Sequence, residues 1–263
     1  MITALATTLI VSLAAFTGIW LIHVRLADIG IVDYYWAPGF LTISATNAWI
    51  FGFNPTSYLL FGLMFVWSLR LTSHLVDRHR RMKSEDARYA AMRAAGGRSF
   101  WWKSLFSIFL LQGCLQWVIA SPLHVVAQSS SVELFTPLAL VGLAFFVVGF
   151  FIEAVADWQL RQFRLMANSE GQLQQTGLWS ISRHPNYLGE MILWIGIGLI
   201  AFSASGSIYT FVGPVILMCA MWFVSIPLTE AHLAKSRSAF AAYAARTPIL
   251  VPFTRAAPLN VRS

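Results

Sequence analysis

Apolar residues along this chain fall in long unbroken runs. They show neither the alternation of a half-buried strand nor the one-sided stripe of a surface helix. A run of about 20 such residues spans a bilayer as a helix, and seven candidate spans follow, near residues 2–23, 34–53, 57–76, 104–126, 137–156, 188–205 and 207–228. The second is the weakest, because Pro38, Gly39 and several small polar residues interrupt it. The last two are nearly fused through Ala204-Ser205-Gly206-Ser207, which predicts a tight helical hairpin. The first run starts at Met1 without a basic leader or a small-residue cleavage site, so it reads as a membrane helix and not a signal peptide. The pattern predicts an all-α polytopic membrane protein of about seven transmembrane helices.

The polar positions carry a second pattern. Between spans three and four lie Arg78, Arg80, Arg81, Lys83, Arg88, Arg93, Arg98 and Lys103. Between five and six lie Arg161, Arg164 and Arg183, and after span seven Lys235, Arg237, Arg246, Arg255 and Arg262. With seven spans all of these fall on one side, and the opposite connections, 54–56, 127–136 and 205–207, hold no Lys or Arg. The positive-inside rule then places the N-terminus outside and the C-terminus in the cytoplasm, with a bacterial inner membrane as the expected location. Asp33, Asp77, Glu85, Asp86, Glu153, Asp157, Glu190 and Glu230 sit in or near the cytoplasmic segments, and only Glu133 faces outward. No charge falls near a span midpoint, which argues against a channel or pump.

Composition agrees. The chain is 57% hydrophobic and 11% charged, against about 25% charged in soluble domains. The net charge of +7 reads as topology signal and not as a nucleic-acid footprint. Cys114 and Cys219 lie inside apolar runs and offer neither metal spacing nor a disulfide framework. His74 and His79, near a basic helix end, read as interfacial, and no metal site is expected.

The densest polar motif is Gly177-Leu178-Trp179-Ser180-Ile181-Ser182-Arg183-His184-Pro185-Asn186-Tyr187-Leu188-Gly189-Glu190. Pro185 suits the first turn of a helix. The free N–H groups of that turn, beside Arg183 and His184, would attract a phosphate or carboxylate. Asn186 and Glu190 share a helix face, and Glu190 lies one turn inside an apolar span, where an ionisable residue marks a functional site. Arg183 and Tyr187 taken singly also suit ordinary interfacial anchoring.

This motif resembles the steroid 5α-reductase and sterol C14-reductase superfamily, most closely its bacterial branch with the steroid 5α-reductase C-terminal domain. Further segments carry the likeness in order: Ile31-Val32-Asp33-Tyr34-Tyr35-Trp36, Arg70-Leu71, Glu85-Asp86 with Arg88-Tyr89, Ala156-Asp157-Trp158-Gln159 with Phe163-Arg164, and Pro227-Leu228-Thr229-Glu230 with Lys235, Phe240 and Tyr243. Leu160 stands where that pattern has a lysine, and the glutamine–glutamate pair of characterised steroid reductases is not evident.

The resemblance implies an NADPH-dependent reductase of a carbon–carbon double bond in a lipid-like substrate. It implies a cofactor site made of Asp157, Arg164, Arg183, His184, Asn186, Tyr187, Glu190, Glu230, Lys235, Tyr243 and Arg246, with Phe240 and Tyr243 closing over the cofactor. Arginines suit phosphates by their forked donors. An acid is also needed to polarise the substrate oxygen, and Tyr89, Asp33, Tyr34 and Glu85 are the candidates. Asp33 equally suits a cap on span two, and Glu85 equally suits offsetting the basic run around it. Residues 1–156 would then form the lipid cavity, 157–253 the cofactor half, and 254–263 a disordered tail of one membrane domain. Steroid, isoprenoid and fatty enone all remain open as substrates. Two alternatives stand: an S-adenosylmethionine-dependent methyltransferase like isoprenylcysteine carboxyl methyltransferase, which shares an Arg-His-Pro-x-Tyr helix start, and a lipid-binding protein without catalysis.

Overall fold

The computed structural model describes residues 2–81, 87–129, 134–166 and 171–254. Glu85, Lys83, Asp86, Glu133 and the tail beyond Thr254 lie outside them. All regular structure among the described residues is helical. The main helices are α1 (Ile2–Leu26), α2 (Ile31–Phe51), α3 (Pro55–Arg81), α4 (Ala87–Gly96), α5 (Phe100–Ser104), α6 (Leu111–Ile119), α7 (Ser121–Ala127), α8 (Pro137–Arg164), α9 (Pro185–Ser205), α10 (Val212–Ala220), α11 (Ile226–Ser236) and α12 (Phe240–Arg246). A π-helical segment, Leu105–Leu110, joins α5 to α6, and another, Met221–Ser225, joins α10 to α11.

Among the described residues six stretches are long and apolar enough to cross a membrane: Ile2–Leu26, Pro55–Arg81, Met92–Ile119, Pro137–Arg164, Pro185–Ser205 and Ile208–Ser236. This is the architecture of a polytopic membrane protein. Each of the seven runs read from the sequence is helical, and α2, the weak second run, is the one that falls short in apolarity. Its surroundings explain why. Helix α2 packs against α1, α3, α6 and α7, so much of its surface meets protein and can be polar. Asn47 on α2 is buried and its Nδ2 lies 3.1 Å from His124 Nδ1 on α7, while His124 Nε2 lies 3.2 Å from the Trp117 carbonyl. A carbonyl only accepts, so Nε2 carries the His124 proton and Nδ1 accepts from Asn47.

The chain forms two compact units, 1–139 with 200–213, and 140–199 with 214–263. In the first, Phe16, Ile29, Val32, Tyr89, Phe100, Ile108 and Phe109 make one buried cluster. Gln116 on α6 reaches α2 beside Pro38, which lies inside that helix, donating from Nε2 to the Trp36 carbonyl at 2.6 Å. Its amide lies where a Cβ on Gly39 would sit, so the glycine gives this contact its room. In the second unit α8 and α9 approach to backbone contact. A Cβ on Gly189 would meet the Glu153 nitrogen at 2.5 Å, and one on Gly196 the Gly142 oxygen at 2.5 Å. Small residues at such crossings let membrane helices pack closely.

Candidate functional site

The motif around Arg183 lies in the second unit, and its shape is set before α9 begins. Gly177 takes a positive φ of 64° and opens a single 3₁₀ turn, Gly177–Ser180. Gln159 of α8 occupies the space a Cβ would need there, and its Oε1 accepts the Leu178 N–H at 2.9 Å. Trp179 is buried and donates from Nε1 to the Ala156 carbonyl at 3.1 Å. From the other side Tyr243 of α12 donates its hydroxyl to the Trp179 carbonyl at 2.6 Å, with the Ser182 carbonyl at 3.3 Å. The turn is therefore pinned by α8 and α12 together.

Next in the chain, the backbone N–H groups of Arg183 and His184 donate to the carbonyls of Pro248 and Ile249 at 2.9 and 3.1 Å. The returning C-terminal segment thus uses the two N–H groups just ahead of α9, and the first-turn N–H groups expected to face an anion are those that follow, from Asn186 onward. The side chains also turn inward. Arg183 Nε and His184 Nε2 each lie 3.1 Å from the same Glu230 oxygen, Oε1, with the Arg183 side chain 1% exposed. Burial lowers the Arg183 guanidinium from its ordinary value, opposed by the negative charge of Glu230. Burial likewise raises the Tyr243 phenol above its ordinary value, which keeps it a proton donor to the two carbonyls. His184 stacks in parallel on Tyr187, centroids 5.4 Å apart.

A second layer lies along α8 and α9. Glu153 and Asp157, four apart on α8, are both buried, as is Glu190 on α9. Asn186 Nδ2 approaches Asp157 Oδ1 at 3.4 Å. Glu190 and Asn186 are also four apart, so the two helices contribute two polar residues each, on faces that the Gly149 and Gly189 contacts hold together. The cations of the expected cofactor set divide by depth. Arg164, Lys235 and Arg246 are exposed, with Arg246 hydrogen-bonded to Gln175, while Arg183 is internal. Phe240 and Tyr243 are core residues of α12, packed with Leu173, Leu233 and Ala234. Glu153, Gln159 and Trp179 had not been singled out as site residues. The four-residue spacing of Glu153 and Asp157 was the available signal.

The proton-donor candidates fall in the first unit. Tyr89 is buried and donates its hydroxyl to Asp33 Oδ1 at 2.8 Å. Asp33 stands in the first turn of α2, where a negative charge suits the helix dipole. Tyr34 meets His79 edge-on at 5.4 Å, and His79 Nε2 lies 2.9 Å from Asp28 Oδ2. Glu85 lies outside the described residues.

A family model described as a protein of unknown function (DUF1295) matches residues 19–247, and the chain belongs to this family, which is steroid 5α-reductase-like. The chain is similar to 3-oxo-5-alpha-steroid 4-dehydrogenase 1 of Mus musculus, at 27% identity over 117 residues, 44% of this chain and 43% of that protein. The Rattus norvegicus protein of the same name is 29% identical over 119 residues, 44% of this chain and 42% of that protein. An uncharacterized protein of Schizosaccharomyces pombe is 26% identical over 182 residues, 60% of this chain and 52% of that one. The match thus spans less than half the length of the two steroid dehydrogenases. No solved structure matches the chain.

Proposed function

We propose that this chain is a membrane-embedded reductase that uses NADPH to saturate a carbon–carbon double bond conjugated to a carbonyl in a lipid. The observation that carries the reading is the α8–α9 polar layer, Glu153, Asp157, Asn186 and Glu190, beside the pinned Arg183–His184 turn, within a chain similar to steroid dehydrogenases. The donor set fits the cofactor. Carboxylates and an amide suit ribose hydroxyls and a carboxamide, and the exposed Arg164, Lys235 and Arg246 suit phosphates. Arg183 and His184 hold the frame through Glu230, and Tyr243 fixes the turn that presents Asn186 and Tyr187.

Held by Asp157, Asn186 and Glu190 with Arg164, Lys235 and Arg246, NADPH would supply the hydride for the β carbon as the C=C π bond breaks, leaving NADP⁺. The balancing proton goes to the α carbon or the carbonyl oxygen. A general acid must supply it, and Tyr89, whose hydroxyl donates to Asp33, is a candidate by its chemistry alone. The proposed topology has seven spans, α2 included, with the site at the cytoplasmic face where the basic residues gather.

One observation favours a second reading. Three buried carboxylates would suit the sulfonium cation of S-adenosylmethionine, and the internal pairing of Arg183 leaves the exposed cations alone to bind phosphate. Variants separate the two. Arg164→Gln with Lys235→Gln is expected to weaken NADPH binding about tenfold or more by losing phosphate contacts. It would leave S-adenosylmethionine binding, should any exist, unchanged. Isothermal titration of the purified protein measures both. Undiminished NADPH affinity in the double variant would remove the phosphate role assigned to these residues.

A further inference from the structure

The first unit carries a surface feature that the proposed chemistry does not use. After α4 the chain turns at Gly97, whose φ is 53°, and enters α5 through Arg98, Phe100, Trp101, Trp102 and Lys103. Contacts with Trp20 of α1 hold this segment, and one from α4 to the residue after α1 holds the turn before it. Trp20 Nε1 donates to the Trp101 carbonyl at 2.9 Å while its ring stacks on Trp101 at 6.3 Å, and Arg93 Nη2 donates to the Ala27 carbonyl at 2.8 Å. Phe100 turns inward into the buried cluster, under Arg93, whose guanidinium lies 5.7 Å from the Phe100 ring centroid.

The residues around Phe100 turn outward. Trp101 and Trp102 are 55% and 44% exposed, and Lys103 Nζ lies 5.7 Å from the Trp102 centroid. Arg98 and Lys103 are exposed, and neither has an ion-pair partner among the described residues. Acidic neighbours are absent from 87–119, the described stretch that holds them. Two indole rings and two cations without an ion-pair partner among the described residues therefore share one short segment near the start of the membrane-crossing stretch Met92–Ile119.

Indole rings settle at headgroup depth, with an apolar body in the acyl region and a polar N–H at its edge. Cations fixed at that depth face lipid phosphates. We infer that Arg98, Trp101, Trp102 and Lys103 form a binding site for an anionic phospholipid headgroup, with the phosphate between Arg98 and Lys103 and the indoles seated beside the first acyl carbons. A zwitterionic lipid offers the same phosphate with its charge cancelled by the choline, so the site discriminates by net charge. Each basic residue near an anionic surface is worth about 1 kcal/mol, or about a fivefold change in occupancy.

The test is retention of lipid by the full chain in native mass spectrometry, with phosphatidylglycerol and phosphatidylcholine of matched acyl chains added in equal amounts. Wild type is expected to keep phosphatidylglycerol in preference. Arg98→Gln with Lys103→Gln should lower that preference by about tenfold or more. Lys235→Gln with Arg237→Gln, which removes the same charge from the second unit, should leave it within twofold. No preference in wild type, no loss in the first double variant, or an equal loss in both variants would each overturn the site, the last because diffuse attraction would account for it. Near-ultraviolet circular dichroism of the variants, unchanged from wild type, shows that the fold is kept. If the first variant does not fold, Trp102→Ala together with Lys103→Met serves in its place with the same expected loss.

Discussion

Glu230 gathers Arg183 and His184 onto one oxygen, and Tyr243 gathers the carbonyls of Trp179 and Ser182 onto one hydroxyl. Each is a single side chain that organises a loop which could not hold itself. The Tyr243 phenol is held above its ordinary value of 10.0, chiefly by burial. The folded state then keeps a proton that the unfolded state releases above about pH 10, so stability falls as pH rises beyond that point. Tyr243→Phe should lower stability by about 1–3 kcal/mol at neutral pH, through two carbonyls left without their donor. It should also flatten the decline above pH 10, and thermal unfolding in detergent across pH 7–11 measures both effects. The motif around Arg183 was legible in the sequence, but its use was not. The groups that occupy its N–H donors and its guanidinium, Pro248, Ile249 and Glu230, stand 46 or more residues further along the chain. Local spacing says nothing of partners so remote. The inward turn of Arg183 therefore came only with the tertiary structure, and under the proposed function the phosphate contacts fall to the exposed Arg164, Lys235 and Arg246.

Helices were the most legible elements, since each apolar run is helical, although the fourth and seventh are divided among several helical segments. Their limits were less so. Helix α8 runs two turns past the apolar stretch to Arg164, because Asp157-Trp158-Gln159-Leu160-Arg161-Gln162-Phe163-Arg164 still favours helix and ends on cations that suit its C-terminus. That extension brings Asp157 and Gln159 level with the motif before α9. Helix α2 is the weak run because hydropathy assumes lipid on every side and α2 has protein on several. Where α8 and α9 cross, the argument concerns backbone. Gly189→Ala would drive a methyl into the Glu153 nitrogen and the Gly149 oxygen, neither of which is a movable side-chain tip. A cost of about 1–3 kcal/mol follows, with weaker NADPH binding as Asn186 and Asp157 part. Gly62→Ala on α3, where nothing lies within 4 Å of the added methyl, should change neither the melting temperature nor binding. Equal effects from the two substitutions would show that the crossing is not as tight as described.

At the scale of the molecule, a chain of mostly apolar helices carries its polar chemistry in a few places. One is the Tyr89–Asp33 pair beside the start of α2, another the layer on α8 and α9 with the turn before it. The family assignment covers both, since the matched region runs from residue 19 to 247. The central claim is that the second of these places holds NADPH. Fluorescence titration tests it directly, because the 11 tryptophans include Trp179 and Trp194, buried in the same unit. NADPH is predicted to quench tryptophan emission saturably, and Asn186→Ala with Glu190→Gln to weaken that response about tenfold or more. Saturable binding of S-adenosylmethionine with no response to NADPH would contradict the account, and so would binding of neither.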